Sequence, residues 1–118
     1  MRISIFQIVC AVGLSFAFNS KEDFTQIGKA SYYADKFHGK KTYSGEKYDK
    51  KKLTGAHLNL PMGTMIRITN LKNDSTVILK INDRMYSQKR IIDVSRAGAE
   101  QLNFIAAGIT EVKLEVIE

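Results

Sequence analysis

Four acidic residues and one histidine, spaced between short apolar segments, are the residues of this chain best suited to chemistry. Glu46 and Asp49 lie in a polar loop, Asp83 follows an apolar segment and Asp93 interrupts another, with His57 between the two pairs. Carboxyl groups cleave a glycosidic bond when one delivers a proton and another group stabilises the developing positive charge. The set therefore suits a polar, uncharged substrate such as a sugar chain.

A structural role is also possible for each of Glu46, Asp49 and His57, and spacing alone does not decide between a structural and a catalytic role. Glu46 and Asp49 are three residues apart in a glycine-containing loop, where either a proton donor or a solvated turn acid fits. Asp49 also suits the cap of a helical turn beginning at Lys50. His57 suits hydrogen bonding to a substrate or an acid, although a lone histidine is usually a polar residue at the surface or core edge. No other residue has the spacing of a second metal ligand, so no metal site is predicted.

The second pair of acids raises the same choice. Asp83 ends an apolar strand beside Arg84, which makes it the best candidate for the general acid or for stabilising an oxocarbenium-like centre. The alternative is a buried contact of Asp83 with Arg84 or with the backbone. Asp93 precedes Ser95 and could equally bind backbone amides at a helix start. Four tyrosines suit stacking on sugar faces, with core packing the alternative for at least two of them; they are Tyr32, Tyr33, Tyr48 and Tyr86.

The length of 118 residues allows one domain, preceded by a segment with the features of a signal peptide. Arg2 is followed by a short apolar run, and small residues allow cleavage after Ala17. We therefore divide the chain into a signal peptide over 1–17, a polar connector over 18–27 and one catalytic domain over 28–118. Export to the periplasm or cell envelope follows, without stable membrane insertion after cleavage.

Cysteine usage and charge limit the partners of this domain. The single cysteine, Cys10, lies in the leader behind the bulky Val9, so we expect neither a disulfide nor a lipid anchor. The net charge is +6, and the lysines cluster in residues 36–52, which suits either an anionic polymer or a solvated loop. No nucleic-acid-binding motif is present, so nucleic acid is not an expected partner. The sequence does not determine the oligomeric state, and a monomer is the default expectation.

Alternating apolar residues predict about six short strands and little helix, which favours a small closed barrel. One or two helical turns are predicted over 50–57, and a helix capped by Ser95 over 96–103. Ile78 opposes the inward residues of its strand, which predicts a strand buried on both sides at its middle. The predicted strands are 28–34, 65–70, 75–81, 90–94 and 111–117, with at most one more short strand in 37–49.

Seven segments of the chain resemble, in the same order, the rare lipoprotein A family of septal-ring lytic transglycosylases. The match as a whole covers about residues 28–117, and the seven segments in order make it specific although each alone is weak. The segments are Gly28-Lys-Ala-Ser-Tyr-Tyr, Phe37-His-Gly-Lys-Lys-Thr, Ser44-Gly-Glu-Lys-Tyr-Asp, Leu53-Thr-Gly-Ala-His, Leu60-Pro-Met-Gly-Thr, Val77 to Arg84, and Arg90-Ile-Ile-Asp-Val-Ser.

The resemblance implies a mainly β fold, a six-stranded double-psi β-barrel with one or two short helices. It also implies a lyase that cleaves peptidoglycan between N-acetylmuramic acid and N-acetylglucosamine without water, on peptide-free strands, leaving 1,6-anhydro ends. No cofactor is implied. The residues assigned to catalysis are Asp83, Glu46, Asp49, His57 and Asp93. The residues assigned to substrate binding are Tyr32, Tyr33, Ser44, Tyr48, Arg84 and Tyr86.

The chain departs from the family pattern where Met85 and Tyr86 replace the usual glycine and proline, which predicts a reshaped groove wall. Other activities stay open for such a barrel. An expansin-like module would bind and loosen wall polysaccharide without cutting it. A hydrolase would leave reducing ends, and a degenerate barrel would bind a protein partner at the wall.

Overall fold

Six strands and one short helix make up the regular structure of residues 24–118, the part of the chain that a computed structural model describes. The predicted leader and most of the predicted connector lie outside the described residues. A 3-10 turn, Asp35–Phe37, lies in the long loop after the first strand. The elements in chain order are β1 (Thr25–Tyr32), β2 (Thr54–His57), β3 (Met65–Asn70), β4 (Thr76–Arg84), β5 (Ile92–Val94), α1 (Arg96–Gln101) and β6 (Thr110–Val116).

The strands close into a barrel in the order β1-β5-β2-β4-β3-β6, with β6 returning to β1. Of the six pairs of neighbouring strands, β1–β5 and β2–β4 are parallel, and the other four are antiparallel. Closure pairs every strand on both sides, which removes the exposed edges that small β proteins must otherwise protect. The predicted mainly β, six-stranded double-psi barrel is confirmed.

The barrel interior is filled by the inward-facing residues of the alternating strands. In β3 and β6 every second residue is buried, as period-two alternation requires. Leu102 and Phe104, which follow α1, pack into the same cluster. Burying each large aliphatic side chain contributes about 1.5–3 kcal/mol, so this cluster is the main source of stability. Its members are Ala30, Ile66, Ile68, Val77, Leu79, Ile81, Ile92, Val94, Ala99, Leu102, Phe104, Val112, Leu114 and Val116.

The helical turns predicted over 50–57 are wrong, because the second half of this segment is strand β2. All four residues of β2 are buried between β4 and β5. The neighbours approach so closely that a Cβ built on Gly55 would lie 3.1 Å from Leu79 Cδ1 and 3.3 Å from the Asp93 carbonyl oxygen. The small residues Gly55 and Ala56 thus let the neighbouring strands approach closely. Small residues also occur in turns, so the weak helical periodicity of this segment did not reveal the strand.

Several element boundaries, among them the end of β4 at Arg84, and one burial prediction also differ from the sequence-based expectation. Strand β1 starts at Thr25, because its first residues pair with β6, so the strand includes the last three residues of the predicted connector. Helix α1 ends at Gln101, before Asn103 adopts a left-handed φ of 57°. Ile78 is 46% exposed, so the middle of β4 is buried on one side and not on both. Within residues 24–118, no helix is long and apolar enough to cross a membrane.

Candidate active site

Four adjacent strands carry a row of residues that forms the floor of an open trough. Ser31 of β1 pairs with Asp93 of β5. Ala56 of β2 pairs with Asp93 on one side and with Asp83 of β4 on the other. Residues paired directly across neighbouring strands point to the same face, so these four side chains share one side of the barrel wall. Strand spacing puts the α-carbons of the two aspartates about 10 Å apart, across the small side chain of Ala56.

A β-bulge at Asn82 brings Asp83 into this row. Gly55 pairs with Ile81, whereas the next residue, Ala56, pairs with Asp83, so Asn82 is an extra residue in β4. Ile81 faces the core, and strict alternation would turn Asp83 inward as well. The extra residue reverses the alternation, and Asp83 faces the trough instead.

The carboxylate of Asp83 is held by three hydrogen-bond donors. Its Oδ1 accepts from the backbone N–H of Tyr43 at 2.8 Å and of Arg84 at 2.9 Å, and its Oδ2 accepts from the Tyr33 hydroxyl. The Tyr33 ring stacks on Tyr48 with centroids 4.2 Å apart and planes 11° from parallel. Burial, and then the hydrogen bond to Asp83, raise the pKa of Tyr33 well above its usual range, so the hydroxyl stays a donor. The Asp83 side chain therefore has one defined orientation.

The second aspartate of the row is held by an ion pair. Asp93 accepts from Arg90 through both carboxylate oxygens, from Nε at 2.8 Å and from an Nη at 3.2 Å, and also from the Ser31 hydroxyl. The hydrogen bond from Arg90 to Asp93 raises the pKa of Arg90. Such a two-point guanidinium–carboxylate contact fixes orientation as well as charge. Asp93 is thus a positioned, charge-paired acid on the trough floor.

The trough above these acids has a volume of about 700 Å³. Tyr86, 76% exposed, and Phe37 supply aromatic surface to its walls. Of the substrate contacts predicted from sequence, Tyr32, Tyr33, Arg84 and Tyr86 line it. The remaining lining residues are Ala34, Lys40, Lys41, Met85 and Arg90.

Tyr48 and Ser44 lie outside the trough. Tyr48 is 2% exposed, stacks behind Tyr33, and accepts a hydrogen bond from the Arg96 backbone N–H at the start of α1. Ser44 lies within the 42–46 loop, where its hydroxyl accepts from the Glu46 backbone N–H. The structure therefore gives Tyr48 a supporting position behind the wall and gives Ser44 a contact within its own loop.

Tyr43 is a trough-side residue that sequence reasoning missed. Its backbone N–H binds Asp83, its ring is 65% exposed, and the Arg84 guanidinium lies 5.1 Å from the ring centroid. A cation over an aromatic face at this distance is attractive. The position of Tyr43 between a threonine and a serine in the loop sequence carried no periodic signal that would have indicated it.

Glu46 and Asp49 lie together in a separate depression of about 310 Å³ beside the trough. Glu46 accepts from Lys80 Nζ at 2.8 Å and from Asn82 Nδ2 at 3.0 Å. These two hydrogen bonds, that from Lys80 first, lower the pKa of Glu46, which disfavours a proton-donor role. Asp49 accepts from the Lys51 backbone N–H at 2.9 Å, as in a turn. The structure thus places Glu46 and Asp49 in a depression that Asp83 does not line.

His57 is buried at 2% exposure and does not line the trough. Its Nδ1 accepts from the backbone N–H groups of Asn59 and Leu60, so Nε2 carries the proton and donates to Gln26 Oε1 at 2.9 Å. Burial, and then the charge of Arg84, lower the pKa of His57. Both ring nitrogens are therefore used in holding the 57–60 turn against β1.

We expect the stability of the domain to fall more steeply at mildly acid pH in the wild type than in a His57→Asn variant. The unfolded chain binds the histidine proton near pH 6.5, whereas the folded chain resists protonation, so protons favour unfolding as the pH falls below about 6.5. Asparagine keeps an acceptor for the turn amides but does not titrate. Denaturant unfolding followed by circular dichroism at about pH 7.5 and 5.5 measures the difference.

A His38→Asn variant is the matched control, because His38 is exposed and its Nδ1 accepts from a single amide, that of Lys50. This control should keep the pH dependence of the wild type. Equal losses of stability in the wild type and in His57→Asn would contradict the buried, neutral imidazole.

The closed mixed barrel with an acid-lined trough defines a double-psi β-barrel protein. A family profile described as lytic transglycolase matches residues 25–114, so the chain belongs to that family, as the motif resemblance predicted. The endolytic peptidoglycan transglycosylase RlpA of Neisseria meningitidis is 47% identical over 100 residues, covering 84% of this chain and 42% of that protein. The protein of the same name from Campylobacter jejuni is 48% identical over 94 residues, covering 79% and 34%. The chain spans less than half the length of these relatives.

Solved structures with the same fold are more distant in sequence. The Streptomyces papain inhibitor superposes with a TM-score of 0.66 at 20% identity, covering 81% of this chain and 96% of that one. The apo expansin of Clavibacter michiganensis superposes with a TM-score of 0.64 at 16% identity, covering 80% and 51%. At such identities these structures support the fold alone.

Proposed function

We propose that this domain is an endolytic lytic transglycosylase that cleaves the bond between N-acetylmuramic acid and N-acetylglucosamine in peptide-free peptidoglycan strands. The observation that carries the proposal is the pair Asp83 and Asp93, which flank Ala56 on the floor of one open trough. Membership of the lytic transglycolase family and the names of relatives more than 40% identical support the reaction type.

In this proposal Asp83 serves first as the acid and then as the base. Its protonated carboxyl gives a proton to the oxygen between the two sugars while the bond from that oxygen to C1 breaks. The 6-hydroxyl of the same muramoyl residue then bonds to C1 and returns its proton to Asp83. The proton count closes without water, and the new end is a 1,6-anhydro sugar. A positioned acid–base group of this kind contributes about 10²–10⁴-fold to the rate.

Asp93 faces the same trough and is proposed to stabilise positive charge at C1. A fixed carboxylate acts strongly on a charge that develops in a partly dry site. Arg90 offsets part of its charge, and together with Ser31 it fixes the direction of the carboxylate. Asp93 is paired with the permanent charge of Arg90, whereas the three donors to Asp83 are neutral, so we assign the proton transfers to Asp83.

The other predicted catalytic residues are proposed to position the trough. Glu46 joins Lys80 and the bulge residue Asn82 to the 42–46 loop, whose Tyr43 N–H binds Asp83. Asp49 closes a turn within the same loop region. His57 holds the turn whose carbonyls, those of residues 57 and 60, accept from the Arg84 guanidinium.

Identification of the chain ends formed from purified peptide-free peptidoglycan tests this function. Mass spectrometry should find muramoyl ends that are lighter by one water molecule than hydrolysed ends. Reducing ends would make the protein a hydrolase. Retained binding without new ends would make it a wall-binding module, the alternative that the exposed ring of Tyr86 on the trough wall favours. Either of these results would overturn the proposal.

We also propose that the protein acts in the cell envelope, where the proposed substrate lies. The predicted signal peptide over residues 1–17 supports this location, since that segment has the charge, apolar run and small residues of such a leader.

A further inference from the structure

Four cationic side chains line the trough, and two of them already have partners. Arg90 pairs with Asp93. Arg84 donates to the carbonyl oxygens of His57 and Leu60 and covers one face of the Tyr43 ring. Lys40 and Lys41 form no ion pair with any acid of the described residues. The trough thus has two ammonium groups available to a ligand.

The backbone under these two lysines is held firmly. The Lys40 carbonyl accepts from the Tyr48 N–H at 2.7 Å, and the Lys40 N–H donates to the Phe37 carbonyl at 3.0 Å. Lys41 forms a bridge with Lys47 across the loop. Tyr48 is itself buried, so the lysine side chains project from a segment anchored to the core.

The charge of the trough lining indicates an anionic ligand and not the uncharged sugar that the acids alone suggested. The lining holds Lys40, Lys41 and two arginines against two aspartates, a net charge of +2. A site with one sign of charge in a concave surface attracts and orients a ligand of the opposite sign. A glycan that carries a carboxylate on every second sugar, as a muramoyl strand does once its peptides are removed, meets this requirement.

We propose that Lys40 and Lys41 bind the free lactyl carboxylates of the glycan, so that the trough selects strands in which these groups are unsubstituted. This inference rests on the proposed function for the identity of the glycan. The two lysines determine specificity through their charge. They lie on the wall of the trough, whereas the two acids lie on its floor.

Binding of soluble peptide-free glycan oligosaccharides to the full chain tests the inference without requiring turnover. Calorimetry should compare the native oligosaccharides with the same material after methyl esterification of the lactyl groups, for the wild type and for a Lys40→Gln/Lys41→Gln variant. Esterification should weaken wild-type binding by about three- to tenfold, the range for two exposed ion pairs. The double variant should lose a similar factor on the native glycan and almost nothing on the ester.

A Lys50→Gln/Lys51→Gln variant is the matched control. It removes the same charge from the same loop, but both lysines line a different depression, beside Arg96. This control should distinguish the native glycan from the ester as the wild type does. The inference is overturned if the wild type binds both forms equally, or if the Lys40/Lys41 variant loses as much affinity for the ester as for the native glycan. Failure of the proposed function would appear separately, as an absence of anhydro ends in the digestion assay.

Discussion

An Asp83→Asn variant should lose about 10³-fold in kcat/KM for the release of anhydro-muramoyl products, while its fold is retained. Asparagine cannot donate a proton to a glycosidic oxygen and take one back from the 6-hydroxyl, and general acid–base groups contribute about 10²–10⁴-fold. Its carbonyl oxygen still accepts from the backbone N–H groups that bind Asp83 Oδ1. The free energy of unfolding should therefore fall by no more than about 1 kcal/mol. Initial rates on peptide-free peptidoglycan, with thermal unfolding followed by circular dichroism, measure both quantities.

The matched control is Asp74→Asn, which makes the same chemical change in the turn between β3 and β4. Asp74 has a φ of 62°, a conformation that asparagine also tolerates, and it does not line the trough. This control should keep wild-type activity and stability. Full activity in Asp83→Asn would remove Asp83 from the mechanism.

Ala56→Val should reduce activity by about 100-fold through occupation of the space between the two aspartates. The Ala56 side chain lies in register with Asp83 and Asp93 on the trough floor, so two added methyl groups would stand between the carboxylates. Displacing a reacting group by about 1 Å can cost about 10²-fold. Ala56 is 2% exposed, so the added volume should also lower stability by about 1–3 kcal/mol. Activity assays well below the melting temperature, paired with thermal unfolding, separate the two effects.

An Ala106→Val variant, at an exposed position after α1, controls for the added volume and should be fully active. A folded Ala56→Val protein with wild-type kcat/KM would show that the substrate does not approach the row of acids across β2.

The architecture could be predicted from the sequence because apolar and polar residues alternate regularly along its strands. Residues 65–70 and 111–117 alternate strictly, and the observed β3 and β6 match them within one residue. Ser95 caps α1 as predicted, accepting from the Gly98 N–H. Local patterns of this kind report directly on burial, so a barrel of about six strands followed from them.

The arrangement of the site depends on features that have no local pattern. A bulge at Asn82 is invisible in an alternating sequence, yet it decides whether Asp83 faces the core or the trough. The four-residue β2 is buried on all sides and carries two small residues, so it resembles a turn.

The burial of His57 depends equally on distant chain segments. Its ring meets Gln26, 31 residues earlier in the chain, which no spacing argument could reveal. Residue types therefore indicated which side chains could do chemistry, whereas long-range pairing decided which of them meet.

A crystal structure of the Asp83→Asn variant with a peptide-free peptidoglycan tetrasaccharide tests the central assignment most directly. We expect the sugar to occupy the trough above Ala56, with the scissile oxygen within about 2.6–3.2 Å of the side chain at position 83. A tetrasaccharide bound instead in the depression of Glu46 and Asp49, with no sugar over Ala56, would contradict it.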